Sequence, residues 1–166
     1  IDNDPGPMLY VQPTDSVAED YSKRRIAPMI SACPTLRQKI YRAKGRDSAN
    51  TITMKLFPGG SLAIVGANSP SDLASKPVRY IFFDEIDRFP LSAGTEGDPI
   101  KLAERRTETY SHNRKIVKTS TPTIKGASKI EDAYMKGTQE EWRTECPHCR
   151  QFSYIRFEDV RFDTEK

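Results

Sequence analysis

Val78-Arg-Tyr-Ile-Phe-Phe-Asp84-Glu85-Ile-Asp87 is the stretch whose reading decides the fold. Residues 78–83 are nearly continuous apolar sequence, the pattern of a strand buried on both faces of a helix-covered sheet. Working outward, Met8-Leu-Tyr-Val-Gln12 is a second short run of buried-strand type, and Lys115-Ile-Val-Lys-Thr119 is another strand. Thr51–Phe57 and Ser61–Val65 flank Pro58-Gly59-Gly60 and predict a hairpin. Between these lie helices. Ser16-Val-Ala-Glu19 fits a capping box for a helix from about Asp15 to Ala27, which Pro28 ends or kinks. Ser69-Pro-Ser-Asp72 opens a short helical turn. Asp98 caps a helix with Pro99 at its first position, running to Tyr110. Ser128-Lys-Ile-Glu131 starts another helix, to about Lys136. Strands alternating with helices predict an α/β domain with a mainly parallel sheet flanked by helices.

The chain has 166 residues, about one domain, with 36 % hydrophobic and 30 % charged residues. Apolar runs recur along its whole length, which argues against disorder. No stretch approaches the roughly 20 apolar residues of a membrane span, and nothing at Ile1 reads as a signal peptide. The net charge of +3 permits a nucleic-acid partner without demanding one. Three cysteines are too few for a disulfide scaffold. Two of them form Cys146-Pro-His-Cys149, which in a reducing compartment suggests metal before disulfide, so a cytosolic setting is expected.

Asp84 and Glu85 stand together at the C-terminal end of an apolar strand, and in open α/β sheets ligands bind outside such ends. An Asp there can hold Mg²⁺, directly or through water, while the metal bridges nucleotide phosphates. The adjacent Glu can orient or deprotonate an attacking water. The plainer account is a solvated acidic turn. Ile116-Val-Lys-Thr119-Ser120-Thr121-Pro122 is a strand ending in hydroxyls. If it lies beside the Asp84 strand, those hydroxyls reach the same crevice and can sense a γ-phosphate; otherwise they satisfy turn backbone.

Taken together these residues resemble the large terminase subunit of tailed phages, in its lambda-like GpA-type branch. The resemblance is carried by Tyr10-Val-Gln-Pro-Thr14, Arg46-Asp-Ser48, Phe57-Pro-Gly-Gly60, Val65-Gly-Ala-Asn-Ser-Pro70, Leu73-Ala-Ser-Lys-Pro-Val78 and Phe83-Asp-Glu-Ile-Asp-Arg88. It continues through Gly97-Asp-Pro99, Leu102-Ala-Glu-Arg-Arg-Thr107, Arg114-Lys-Ile-Val117, Ser120-Thr-Pro-Thr123 and the Cys146–Cys149 pair. It implies a P-loop NTPase-like fold and an ATP-hydrolysing motor that moves double-stranded DNA into a procapsid. By the same resemblance, Asp84 would assist Mg²⁺, Glu85 would activate water, and Ser120 and Thr121 would couple hydrolysis to movement. A terminase small subunit, the capsid portal and a ring of identical subunits are the implied partners, and the host bacterial cytoplasm the implied location. No membrane is involved.

The phosphate loop G-x-x-x-x-G-K-[ST] is absent: none of the nine glycines is followed by Lys. In the family that loop lies upstream of the YVQPT-like segment. The chain is therefore expected to be an excised piece, truncated before the first strand and the phosphate loop, and inactive alone. Residues 1–140 are expected to belong to the motor domain. Residues 141–166 form a β-rich CxxC segment leading toward the family's nuclease region. Cys146 and Cys149 have the spacing of one zinc knuckle, whereas structural zinc needs four ligands. They form either half of a zinc ribbon, completed by a pair beyond Lys166 that the resemblance suggests, or a metal-free turn. Arg105 and Arg106 are candidates for an arginine finger reaching a neighbouring subunit, or a solvated helix face. Lone Trp142 is expected to pack. Two rivals remain open: a helicase-like DNA-dependent ATPase, and a non-enzymatic zinc-ribbon nucleic-acid binder.

Overall fold

The computed structural model describes residues 1–40 and 50–161. Arg46-Asp-Ser48 lies outside the described residues. The chain forms two compact units, Ile1–Glu131 and Asp132–Lys166.

The first unit is built on a five-stranded sheet of order β2-β3-β1-β4-β5. The strands are β1 (Pro7–Gln12), β2 (Met54–Phe57), β3 (Gly60–Gly66), β4 (Tyr80–Asp84) and β5 (Lys115–Thr119). β1 runs parallel to both β3 and β4, and β4 runs parallel to β5. Only β2 is antiparallel, joined to β3 through Pro58-Gly59, where Gly59 takes the positive φ of 82° that a tight Pro-Gly turn requires. The predicted mainly parallel sheet flanked by helices is what forms. The hairpin's first strand starts at Met54, not Thr51, because Thr51 folds back to exchange hydrogen bonds with Met54.

Strand residues alternate between the two faces of the sheet, and each face carries its own core. Leu9, Val11, Ile81 and Phe83 pack with Leu73, Ile86, Phe89, Ile100 and Ala103 on one side. Met8, Tyr80, Leu62 and Ile64 pack with Ala18, Ile26 and Ile40 on the other. The helices supplying these layers are α1 (Asp15–Tyr21), α2 (Ala27–Ala32), α3 (Pro34–Lys39), α4 (Pro70–Ala74) and α5 (Pro99–Glu104).

Helix α1 is capped by Thr14, whose hydroxyl accepts from the Val17 amide at 3.4 Å. The chain then stays helical past Pro28, through a π-helical stretch at Ser22–Ile26 into α2. Pro28 offers no N–H to the carbonyl of Arg24 and its ring would crowd it. Ala27 N–H reaches back five residues to Ser22, a wider turn that accommodates the ring. Asp98 caps α5 by accepting from Ile100 N–H at 2.9 Å, and the helix tightens to a 3₁₀ coil over Arg105–Tyr110.

The second unit holds a hairpin of two short strands, β6 (Thr144–Glu145) and β7 (Phe152–Ser153). Its α6 (Lys129–Met135) begins within the first unit, with Ser128 accepting from Glu131 N–H at 3.1 Å as its cap. Trp142 does not pack as expected: it is 89 % exposed. Among the described residues no helix is long and apolar enough to cross a membrane.

Candidate active site

Four parallel strands end along one edge of the sheet, at Gln12, Gly66, Asp84 and Thr119. Asp84 is the focus of this edge. Register sets Thr119 directly opposite it, and the Thr119 hydroxyl donates to Asp84 Oδ1 at 2.8 Å. From the other flank, β1 supplies two donors to Oδ2: the Tyr10 hydroxyl at 2.8 Å and Gln12 Nε2 at 3.0 Å. Tyr10 and Gln12 are two apart on a strand, hence on one face.

Gln12 is only 3 % exposed, so its amide must find a partner inside the protein, and Asp84 is that partner. The Tyr10 ring is clamped by Tyr21, stacked at 4.8 Å and 14°, with Phe82 behind it at 6.4 Å. Burial, then hydrogen bonding with Tyr21 and Asp84, pushes the Tyr10 phenol well above its ordinary range, so it stays a donor. All three donors to Asp84 are neutral, and among the described residues no basic side chain pairs with it. The three donors orient both of its oxygens.

Glu85 follows in the left-handed region, φ 59° and ψ 47°. A non-glycine residue there stores on the order of 1 kcal/mol or more of strain and persists only where its neighbours hold it. Its carboxylate lies 3.3 Å from Nε of the exposed Arg88, a pair of small energetic weight. Asp87, in the 3₁₀ turn Ile86–Arg88, faces the segment that leaves β5. Its Oδ2 accepts from Thr123 N and Oγ1, both at 3.0 Å, and its Oδ1 accepts from Ile130 N at 2.9 Å. Burial on its own would raise the Asp87 pKa; the donors from Ile130, Ser128 and Thr123 outweigh it and hold the carboxyl at about 2.

A second network braces the β1 and β3 ends. Gly66 N–H donates to Asp15 Oδ1 at 2.9 Å, Asp15 N–H to Asn68 Oδ1 at 3.1 Å, and Asn68 Nδ2 to Asp15 Oδ2 at 3.2 Å. A Cβ on Gly66 would lie 2.3 Å from Asp15 N, so only glycine fits under this clasp.

Of the residues singled out in the sequence, Asp84, Glu85 and Ser120 converge at the sheet edge. Ser120 Oγ accepts from Asp87 N–H at 3.1 Å. The Thr121 side chain is exposed, and Thr119, one step earlier, is the hydroxyl that meets Asp84. Arg106 lies at the other end of β4: its carbonyl accepts from Val78 N–H, and its guanidinium rests against Ala74 O at 3.4 Å with Nε buried and unpartnered. Arg105 is exposed beside it. Tyr10, Gln12, Thr119 and Asp87 carry site geometry that sequence reasoning left unassigned. The signal for the first two was a polar pair, i and i+2, on an otherwise apolar strand.

Cys146 and Cys149 sit in the β6–β7 turn, where Cys146 N–H donates to Gln151 O at 2.9 Å and Arg150 takes a φ of 58°. The backbone N–H groups of Cys149 and His148 point at the Cys146 sulfur and hold its thiol below the usual range. Two cysteines at this spacing supply at most half of a tetrahedral shell. Among the described residues no group of three potential ligands gathers.

The family described as "Phage terminase large subunit gpA, ATPase domain" matches residues 1–166. The chain is 34 % identical over 155 residues to the terminase large subunit of Enterobacteria phage P21, covering 91 % of this chain and 24 % of that protein. It is 32 % identical over 151 residues to the terminase large subunit of Escherichia phage lambda, covering 89 % and 23 %. The chain thus spans about a quarter of the length of these curated relatives. A weaker structural likeness is to the large terminase ATPase domain of Thermus phage P74-26, at TM-score 0.43 and 15 % identity over 72 % of this chain and 50 % of that one.

Proposed function

This chain belongs to the phage terminase large subunit gpA family, in its ATPase domain, and from that premise we propose that it carries the hydrolytic acids and coupling strand of an ATP-driven DNA-packaging motor. The observation that supports this most is the state of Asp84. It is held by Thr119 on one side and by Tyr10 and Gln12 on the other, with no basic side chain against it among the described residues, at the edge where parallel strands end. A carboxylate left without a cationic partner fits a metal-bound water. When bound, Mg²⁺ would be held through Asp84 and would neutralise charge developing on the transferred phosphoryl group.

The chain's own residues then divide the work. Asp84 would hold the ion through a water; Tyr10, Gln12 and Thr119 keep its two oxygens aimed. Glu85 orients the attacking water and takes its proton as the γ-phosphoryl group leaves ADP. Ser120 and Thr121 lie where loss of the γ-phosphate is felt and pass it on to the following segment. Arg105 serves, if either arginine does, as a finger toward a neighbouring subunit's nucleotide, since it is the exposed one of the pair.

In the whole protein the phosphate loop comes from sequence upstream. Residues 1–140 act as motor and 141–166 as half of a zinc ribbon, with the remaining two ligands beyond Lys166. Duplex DNA is gripped by its phosphates without sequence preference. A small subunit selects the viral end, and a ring of subunits works on the capsid portal in the host bacterial cytoplasm.

Titration of ATP and Mg²⁺ into a full-length protein carrying this segment tests the assignment. Asp84→Asn should raise the Mg²⁺ concentration needed for half-maximal ATP binding by about tenfold, the loss of one charge-assisted contact. An unchanged Mg²⁺ requirement would refute the role given to Asp84. Zinc should be near zero per chain in residues 1–166 and stoichiometric once the downstream pair is present; one zinc per chain in 1–166 would refute the half-site.

A further inference from the structure

Asp87 has no part in the chemistry above, yet it fastens the turn after β4 to the segment after β5. Its carboxylate receives Thr123 N–H, the Thr123 hydroxyl and Ile130 N–H, and its own N–H is received by Ser120 Oγ. Lys129 Nζ adds two contacts to the same turn, to Phe89 O at 2.9 Å and Pro90 O at 3.1 Å. The stretch from Ser120 to Ile130 is therefore sewn along 87–90 at both of its ends.

Glu85 sits between two anchored carboxylates. Asp84 is fixed by β1 and β5, and Asp87 by the 120–130 segment. Glu85 alone in this turn has a positive φ, a backbone state that only surrounding constraints maintain. On its N-terminal side the constraint is the sheet. On its C-terminal side it is the Asp87 latch.

We propose that Asp87 is a positioning residue: it holds the 120–130 segment on the β4 turn and so sets the backbone at Glu85, making the segment after β5 a lever on the water-activating acid. This rests on Glu85 being that acid. The donors reach both carboxylate oxygens, so an amide cannot replace the group. Asn at 87 keeps one acceptor and turns an NH₂ toward either Thr123 or Ile130.

Amide exchange followed by NMR reads the latch in the chain itself. Asp87→Asn should speed exchange at Thr123 or Ile130 about tenfold or more, while Val11 and Ile81, in the sheet core, stay within about twofold. In the full-length protein the same variant should lower kcat for ATP about tenfold with KM within about twofold, because the turn and not the nucleotide site is loosened. Asp87→Glu, which keeps two acceptor oxygens, should recover part of kcat. Unchanged exchange at both amides in Asp87→Asn would overturn the proposal. So would wild-type kcat in that variant where Glu85→Gln is inactive. Wild-type kcat in Glu85→Gln would instead remove the hydrolytic role on which the lever acts, leaving the exchange result to stand or fall alone. If Asp87→Asn does not fold, Thr123→Ala removes one donor: lowered kcat at constant KM supports the latch, and unchanged kcat overturns it.

Discussion

The hydrogen bond from Tyr10 to Asp84, across 74 positions of sequence, can be weighed by a double-mutant cycle. Tyr10→Phe deletes the hydroxyl at 2.8 Å from Asp84 Oδ2 and leaves the ring in its 4.8 Å stack on Tyr21. Asp84→Ala deletes the acceptor. A hydrogen bond to a charged group contributes about 1.5–3 kcal/mol when buried. Here Gln12 still serves the same oxygen and the edge is half-buried, which places the coupling at the low end, about 1–1.5 kcal/mol. Urea unfolding of the wild type, both single variants and the double variant gives the coupling from four midpoints and a common m-value. A coupling below about 0.3 kcal/mol would refute the claim that β1 orients this carboxylate. The pH dependence carries the same contact. The folded phenol titrates above the unfolded one, so its stabilisation is complete below pH 10 and is lost as pH rises further. Wild type should therefore lose stability above pH 10 faster than Tyr10→Phe.

Gly66→Ala should destabilise the chain by about 2–4 kcal/mol, since its Cβ breaks the three-bond Asp15–Asn68 clasp; Asn68→Ala, which opens the clasp without a clash, should lose less, and equal losses in urea melts would refute the steric account. Asp87, at about 2 when folded against 3.8 for an ordinary Asp, stabilises above pH 4 and loses that contribution as pH falls toward 2. Wild type should lose more stability than Asp87→Asn between pH 6 and pH 3, and parallel curves would contradict the assignment. Trp142, 89 % exposed, should emit at the wavelength of solvated indole; a blue-shifted maximum would show that it packs.

What the sequence made legible was local. The caps at Asp98 and Ser128 each act within three residues and both form, whereas the box expected at Ser16–Glu19 does not, since Thr14 caps that helix and Ser16 lies inside it. The apolar run before Asp84 read as a buried strand and the Pro-Gly-Gly stretch as a hairpin turn, and both form. The position of β1 between β3 and β4 was not legible, because the crossover is fixed by packing of two faces rather than by any residue pair in β1. With that position hidden, Tyr10 and Gln12 read as strand filler although they hold Asp84. Thr119 was passed over for Ser120 and Thr121, since register decides which hydroxyl meets the carboxylate, and a one-residue shift changes the face. Pro28 was read as ending or kinking the helix, and the chain stays helical because the compensating wide turn lies before it, at Ser22–Ile26. Asp87 was visible only as one acid among three, and its donors come from 36 and 43 residues away.

The central claim is that the Asp84–Glu85 edge hydrolyses nucleoside triphosphate. The most direct measurement is phosphate release and ATP binding, side by side, in full-length protein bearing Glu85→Gln. Retained binding with turnover reduced by at least about a hundredfold, the loss of a general base, is the predicted result. Wild-type turnover in that variant would contradict it.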